Sequence, residues 1–202
     1  MARSNVNIVN SALNIIGASN IVSLDENSKA GRVMNQMFEG VRDAVFRNHP
    51  WKCLIRRAEL AQETSAPAYG YSYQYPLPVD PYCLRVLEFD NGSLSYPWDN
   101  MIGDGGLPAF VIEGRKLVTN SATAKIKYVA RITDPNEYDA GLIDVLSARL
   151  AAEAAYAITG STTVVQIAAS LYEAKLKEAR FLDATEGATV RLEASDFIES
   201  RF

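Results

Sequence analysis

Histidine and cysteine are scarce in this chain of 202 residues, which has one histidine, His49, and two cysteines, Cys53 and Cys83. Zinc sites built on several histidines and chemistry that needs paired histidines are therefore excluded. Free cysteine is among the most often buried residue types, so we expect two free thiols that are buried or half-buried. The first residues lack the apolar centre and cleavage pattern of a secretory leader, and we expect no disulfide.

Long apolar runs and an excess of basic residues are lacking as well. The sequence has no stretch of about 18 uncharged apolar residues, which argues against a membrane-spanning helix and a membrane partner. Lys and Arg number 20 against 24 Asp and Glu, so the net charge is −4. A protein that binds DNA tightly normally carries a basic face. The basic residues here are scattered, and we expect no tight DNA binding.

Motifs for nucleophilic catalysis and nucleotide binding are also missing. No Gly-x-Ser-x-Gly elbow occurs, and a Ser/His/Asp nucleophile would have to use His49, for which a capping or buried role is the simpler explanation. The loop Gly103, Asp104, Gly105, Gly106 has the glycines of a phosphate loop but not the context, because Leu107-Pro108 and a strand follow it. We expect a loop between strands there.

Carboxylate pairs are the remaining candidates for chemistry. Asp25/Glu26 and Asp134/Glu137 could in principle serve glycoside hydrolysis, which needs two carboxyl groups at a suitable separation. Acidic residues at helix starts and turns have a simpler explanation in helix dipoles and caps. We therefore predict no catalytic residues, no cofactor and no metal site.

Helical periodicity is present at both ends of the chain. Apolar residues at helical spacing predict helices at about 4–16, 27–48, 139–159 and 161–183. Ser4 or Asn5 is the expected N-cap of the first helix and Gly17 its stop, and Ser161 or Thr162 is expected to cap the fourth. An apolar fraction of 48 % is enough for a real core.

Between the helices the periodicity is that of strands broken by prolines and glycines. Strands are predicted at about 51–55, 71–75, 82–90, 94–98, 110–113, 116–119 and 125–132, with a tight turn at Asn91-Gly92. The sequence thus predicts an α+β fold. Residues 1–50 and 133–186 form a helical bundle, residues 51–132 an inserted antiparallel β domain, and residues 187–202 an extended tail.

Small residues cover much of the third predicted helix, where Ala148, Ala151, Ala152 and Ala155 lie close together in sequence. Small side chains let a neighbouring backbone approach closely. Two interpretations stay open. The alanines pack within one subunit in the ordinary way, or one face packs within the subunit and another against a neighbouring copy in a ring.

Several short motifs, taken in order, resemble the tail tubular protein A family, the head-to-tail adaptors or gatekeepers of short-tailed bacteriophages. The resemblance covers roughly residues 5–186, and the order and spacing of the motifs carry it. The motifs are the early helices ending near Trp51, Leu77-Pro78-Val79-Asp80 leading into Leu84-Arg85-Val86-Leu87, Ile126-Lys127-Tyr128-Val129 with Arg131-Ile132-Thr133-Asp134-Pro135, Arg149-Leu150-Ala151-Ala152-Glu153-Ala154-Ala155, and a distal helix with Tyr172 and Ala179-Arg180.

The resemblance implies a helical bundle with an inserted β domain, assembled as a dodecameric ring of identical copies. Such a ring sits in the neck of the virion, between the portal protein and a nozzle similar to tail tubular protein B, after assembly in the host cytoplasm. DNA passes through its lumen without specific binding. The family has no established set of catalytic residues to carry over.

Two segments without a family signature receive expected roles of their own. The tail offers hydrophobic anchors, and we expect it to dock on the portal or on a neighbouring subunit as an added strand or a wedged aromatic side chain. We expect the loop from Gly103 to Gly106 to border the lumen or the nozzle contact. The tail anchors are Val190, Leu192, Phe197, Ile198 and Phe202.

Two alternatives to the short-tailed adaptor remain. The first is a polysaccharide-degrading tail enzyme, which a pocket with two carboxylates about 5–10 Å apart would favour. The second is a head-completion or connector protein of a long-tailed phage. That protein would share the helical-bundle architecture and differ in the tail component that it meets.

Overall fold

Helices at the two ends of the chain enclose a block of short strands, as the sequence predicted. The structure, a computed structural model, describes residues 3–90 and 108–186. Within them, four helices and two three-stranded antiparallel sheets form a mixed α+β fold. The helices are α1 Asn5–Ile15, α2 Lys29–Asn48, α3 Ala140–Thr159 and α4 Thr162–Thr185, and the strands are β1 Ile55–Glu59, β2 Tyr73–Pro76, β3 Tyr82–Asp90, β4 Phe110–Glu113, β5 Lys116–Thr119 and β6 Lys125–Arg131.

Each helix starts at a side-chain cap that satisfies a free backbone N–H group. Ser4 accepts a hydrogen bond from the Asn7 backbone, and Ser161 accepts one from Val164, at two of the predicted positions. Ser28 caps α2 and Asp139 caps α3. Helix α3 ends at Gly160, whose φ of 69° is a left-handed conformation that glycine adopts without strain.

Helix α3 lies at the centre of the bundle and packs against α1, α2 and α4. The buried Ser147 hydroxyl donates to the Ile8 carbonyl at 3.2 Å, which joins α3 to α1. In α1, Ile8, Val9, Ala12 and Leu13 are buried. The buried side of α2 includes Phe46 and, unusually for a charged residue, Arg42.

The six strands pair in two sheets, with strand order β1-β6-β3 in the first and β2-β5-β4 in the second. Ile55 lies opposite Val129 and Tyr82 opposite Arg131 in the first sheet. The hydrophobic core runs without interruption from the bundle into both sheets. None of the described helices is both long enough and apolar enough to cross a membrane.

The predicted start of the first strand is wrong. Residues Lys52–Leu54 form a 3₁₀ turn, and the first strand begins only at Ile55. The buried Trp51 indole donates to the Val45 carbonyl at 3.1 Å, which holds the chain against the end of α2 and prevents it from extending. Val129 shares a face of β6 with Arg131 and is fully buried there, where Arg131 pairs with Asp43 of α2.

Candidate functional site

The predicted alanine surface of α3 lies mostly inside the subunit. Ala148, Ala151 and Ala155 are fully buried, and Ala152 is half-buried. Because α3 is surrounded by three other helices, these side chains pack within the chain. The interface interpretation is therefore wrong for Ala148, Ala151 and Ala155, and ordinary packing within the subunit accounts for them.

Exposed apolar side chains lie instead on α4, where the described residues leave one side of the helix uncovered. This helix has 24 residues, of which only Ala168 and Ala179 are buried. Ile167, Phe181 and Leu182 are 59 %, 68 % and 53 % exposed. A helix that is apolar on a second side, away from its neighbour, is suited to a second partner.

Sequence spacing places Ile167 and Phe181 on one stripe of the helix, which also includes the half-buried Leu171 and the exposed Ala174 and Glu178. Ile167, Leu171, Ala174, Glu178 and Phe181 follow one another at intervals of four, three, four and three residues. That spacing places them on one side of a helix. We call these five residues, with Leu182, the outer stripe of α4. Helical periodicity indicated a single stripe on α4, the one that faces α3, so the outer stripe was not predicted.

The C-terminal end of α4 is tied to the end of α2 by Asp183. One carboxylate oxygen of Asp183 lies 3.0 Å from His49 Nε2, and the other accepts a hydrogen bond from the Lys52 backbone at 3.0 Å. The His49 ring also packs edge-on against Trp51, at 4.6 Å between centroids. Among the described residues no serine hydroxyl hydrogen-bonds to His49. These contacts at the C-cap of α2 have a structural role, because they hold the end of α4 against the end of α2.

Both cysteines are free, as predicted, with Cys83 buried and Cys53 half-buried. Burial raises the pKa of both thiols above their ordinary value. Arg115 lies close enough to Cys83 to oppose that rise, but burial remains the larger cause. A reactive cysteine needs a lowered pKa, so neither thiol is activated as a nucleophile.

A cavity of about 360 Å³ between the two sheets is lined by four arginines, Arg47, Arg85, Arg115 and Arg131, and none of its lining residues in the described part of the chain is acidic. We call it the arginine cleft. Tyr82 lies in its wall, with the guanidinium carbons of Arg115 and Arg131 at 3.8 and 4.3 Å from the ring centre. Such a concentration of positive charge stands out in a chain whose net charge is −4.

Two of the four arginines hold the fold together. Arg115 donates to the carbonyls of Cys83 and Pro78 at 2.7 and 2.8 Å, which fastens the β4–β5 turn to β3. Arg131 forms an ion pair with Asp43 at 2.5 Å. Their positions are therefore explained by intrachain bonds.

Arg47 and Arg85 differ from these two. Both are exposed, and neither forms an ion pair with a carboxylate among the described residues. The only bond that links them is a long one, 3.5 Å from Arg85 Nη1 to the Arg47 carbonyl. Most of their donors are left for another acceptor. No local pattern predicts this pair, because 38 residues separate the two arginines along the chain.

A second cavity, of about 250 Å³, lies on the outer face of the β1-β6-β3 sheet and contains carboxylates. Its charges alternate across the strands. Glu88 lies opposite Lys127 and pairs with it at 2.6 Å, while Lys125 lies between Glu59 and Asp90 in the register. Opposite charges on neighbouring strands stabilise a solvated sheet face. A glycosidase acid is instead a carboxyl group in apolar surroundings.

The remaining predicted site residues lie outside the part of the chain that the structure describes. Gly103, Asp104, Gly105 and Gly106 lie outside the described residues, as do the predicted strand at 94–98 and the turn at Asn91-Gly92. The tail anchors Val190, Leu192, Phe197, Ile198 and Phe202 also lie outside them.

No protein-family model matches this chain, and no curated protein matches it significantly. Support for a function therefore comes from the residues of the chain and their geometry.

Proposed function

We propose that this chain is a structural head-to-tail adaptor of a bacteriophage virion. Identical copies form a ring between the portal protein and the tail nozzle, and DNA passes through the lumen of that ring. The order of short motifs resembling the tail tubular protein A family supports this proposal. The protein acts by assembly and transforms no substrate.

The observation that carries the proposal is the outer stripe of α4. Ile167, Phe181 and Leu182 expose more than half of their surface, although they belong to a helix whose other side is packed on α3. Exposed apolar surface of this kind marks an interaction site. A neighbouring copy of the chain would bury it, and repetition of that contact around a closed ring would satisfy every copy.

The polysaccharide-degrading alternative has less support. Its candidate would be the shallow cavity that holds Glu59, Glu88 and Asp90. Lysines alternate with these carboxylates, and the Glu88 side chain is 60 % exposed and paired with Lys127. These carboxylates are solvated and paired with lysines, so none of them is a general acid held in an apolar pocket.

The test is to count subunits. The purified chain, alone and mixed with the portal protein of the same virion, is measured by native mass spectrometry and imaged by electron microscopy. We expect a closed ring, a dodecamer, on the portal. A chain that stays monomeric in both conditions contradicts the proposal.

Two matched variants locate the contact. Ile167→Ser with Phe181→Ser removes apolar surface from the outer stripe, and we expect a folded chain that no longer forms the ring. Glu173→Ser with Lys177→Ser changes two exposed residues on another side of the same helix and should leave the ring intact. Equal assembly of both variants would mean that the subunits meet elsewhere.

A further inference from the structure

We propose that the arginine cleft binds an acidic segment of a partner protein, one in which a carboxylate stands beside an aliphatic side chain. This inference is independent of the ring. It concerns a different surface, formed by the end of α2, strand β3 and the β4–β5 hairpin. Arg47 and Arg85 are the residues that bind the carboxylate of this segment.

Charge is the first argument. Four guanidinium groups converge on one concavity, and Asp43 is the one carboxylate among the described residues that forms an ion pair with any of them. Arg47 and Arg85 therefore keep uncompensated charge. A concave surface with one sign of charge raises the local concentration of the opposite ion. The planar guanidinium fork also matches a carboxylate, which it can bind through two parallel hydrogen bonds.

The second argument is the apolar wall of the cleft, which favours a peptide over a nucleic acid as the ligand. Leu77, Leu84, Val86 and Ile112 line the cleft together with the arginines. Val79, which bridges to Tyr82 beside the cleft, is 76 % exposed. A phosphate group gains nothing from contact with an aliphatic wall. A peptide that carries both leucine-like and acidic side chains would bury its aliphatic side chains against that wall and pair its carboxylates with the arginines.

The size of the cleft agrees with this occupant. A volume of about 360 Å³ is at the lower end of the range of ligand pockets, about 300–1,000 Å³. It can hold a few side chains. A DNA duplex would instead require cations spread along an extended face.

The experiment measures binding of a fluorescein-labelled hexapeptide in which aspartate or glutamate alternates with leucine or isoleucine. Fluorescence anisotropy is recorded with the full chain at low and at physiological salt. The double variant Arg47→Gln, Arg85→Gln should bind the peptide about tenfold more weakly or worse, since charged hydrogen bonds are lost. Arg57→Gln, which removes an exposed charge from β1 outside the cleft, should bind within about twofold of the unchanged chain.

Three results would overturn the proposal. The first is a binding assay that does not implicate the cleft, either because the unchanged chain fails to bind the peptide or because the Arg57 and Arg47/Arg85 variants bind it equally. The second is equal binding of a peptide with asparagine and glutamine in place of the acids, which would mean a purely apolar contact. The third is stronger competition by inorganic phosphate or a DNA duplex than by unlabelled peptide. Matched thermal midpoints of the variants establish that each is folded.

Discussion

At the residue scale, a carboxylate that bridges two arginines connects the bundle to the sheet. Asp43 on α2 pairs with Arg42 at 3.1 Å and with Arg131 of β6 at 2.5 Å. The Arg42 side chain is only 5 % exposed. A guanidinium so deeply buried is tolerated because Asp43 compensates its charge.

Replacing Asp43 by asparagine should therefore lower the free energy of unfolding by about 2–3 kcal/mol, since it leaves a buried cation without its counter-ion. Urea unfolding followed by circular dichroism measures the change. Asp144→Asn is the control, because Asp144 is exposed and lies 3.7 Å from Lys175. That change should cost less than about 0.5 kcal/mol. Equal losses in the two variants would show that Asp43 is no more than a surface charge.

Individual residues were the least predictable part of the chain. Arg42 follows Val41 in the sequence and has no feature that predicts burial. Asp183 and His49 lie 134 residues apart, and no local pattern joins them. The cysteines are the exception, since the general tendency of free cysteine to be buried was sufficient.

At the scale of elements, α4 lies against α3 through small residues. A Cβ atom placed on Gly141 would lie 3.2 Å from the Ala179 Cβ atom, so the two helices approach closely there. Larger side chains at this contact cannot be accommodated without moving α4.

Ala179→Leu should accordingly destabilise the chain by about 1–3 kcal/mol through overpacking. Hydrogen exchange should show the loss of protection concentrated in residues 162–185. The same substitution at the exposed Ala184 of α4 should leave stability nearly unchanged. Equal losses of unfolding free energy in Ala184→Leu and Ala179→Leu would contradict this close packing of α4 on α3.

Elements were predicted better than residues because the signals that define them are local. Strands β3, β4 and β5 have the predicted bounds, and α1 and α4 begin next to predicted caps. The error at 51–55 arose where Trp51 is held by a contact with α2, which periodicity does not register. Helical spacing predicts one apolar stripe on α4, and its residues are buried or half-buried because α4 packs chiefly on α3; they are Val165, Ala168, Ala169, Tyr172, Leu176 and Ala179.

At the scale of the whole molecule, Tyr138 joins the bundle to the sheet. Its ring packs edge-on against Phe46 at 5.3 Å between centroids, and its hydroxyl donates to the Ile132 carbonyl at 2.7 Å. Burial raises the pKa of Tyr138 to about 12. Burial also raises the pKa of Tyr75 and Tyr128.

The folded chain should consequently lose stability in alkali. The unfolded phenol ionises near pH 10, so the stability that neutral Tyr138 provides is complete below about pH 10 and is lost as pH rises towards 12. Tyr138→Phe should cost about 1 kcal/mol at neutral pH, through the lost hydrogen bond. Its unfolding free energy should then fall less steeply above pH 10. Urea unfolding at a series of pH values measures both effects. Tyr69→Phe, at an exposed tyrosine, is the control. Parallel pH profiles of the unfolding free energy for the unchanged chain and both variants would contradict this role of Tyr138.

The α+β class, the order of the described helices and strands, the free cysteines and the N-caps Ser4 and Ser161 follow from the amino-acid sequence alone. These depend on periodicity and on residues close together in the chain, where steric and hydrogen-bonding preferences act directly. The ring remains a proposal that the motif order suggests.

Which surfaces of the described residues stay uncovered depends on the tertiary structure. It buries Ala148, Ala151 and Ala155 between three helices, exposes Ile167 and Phe181 of α4, and brings arginines of distant segments together at one cleft. Burial and charge clustering depend on contacts between distant segments, and the local sequence around each residue carries no record of them.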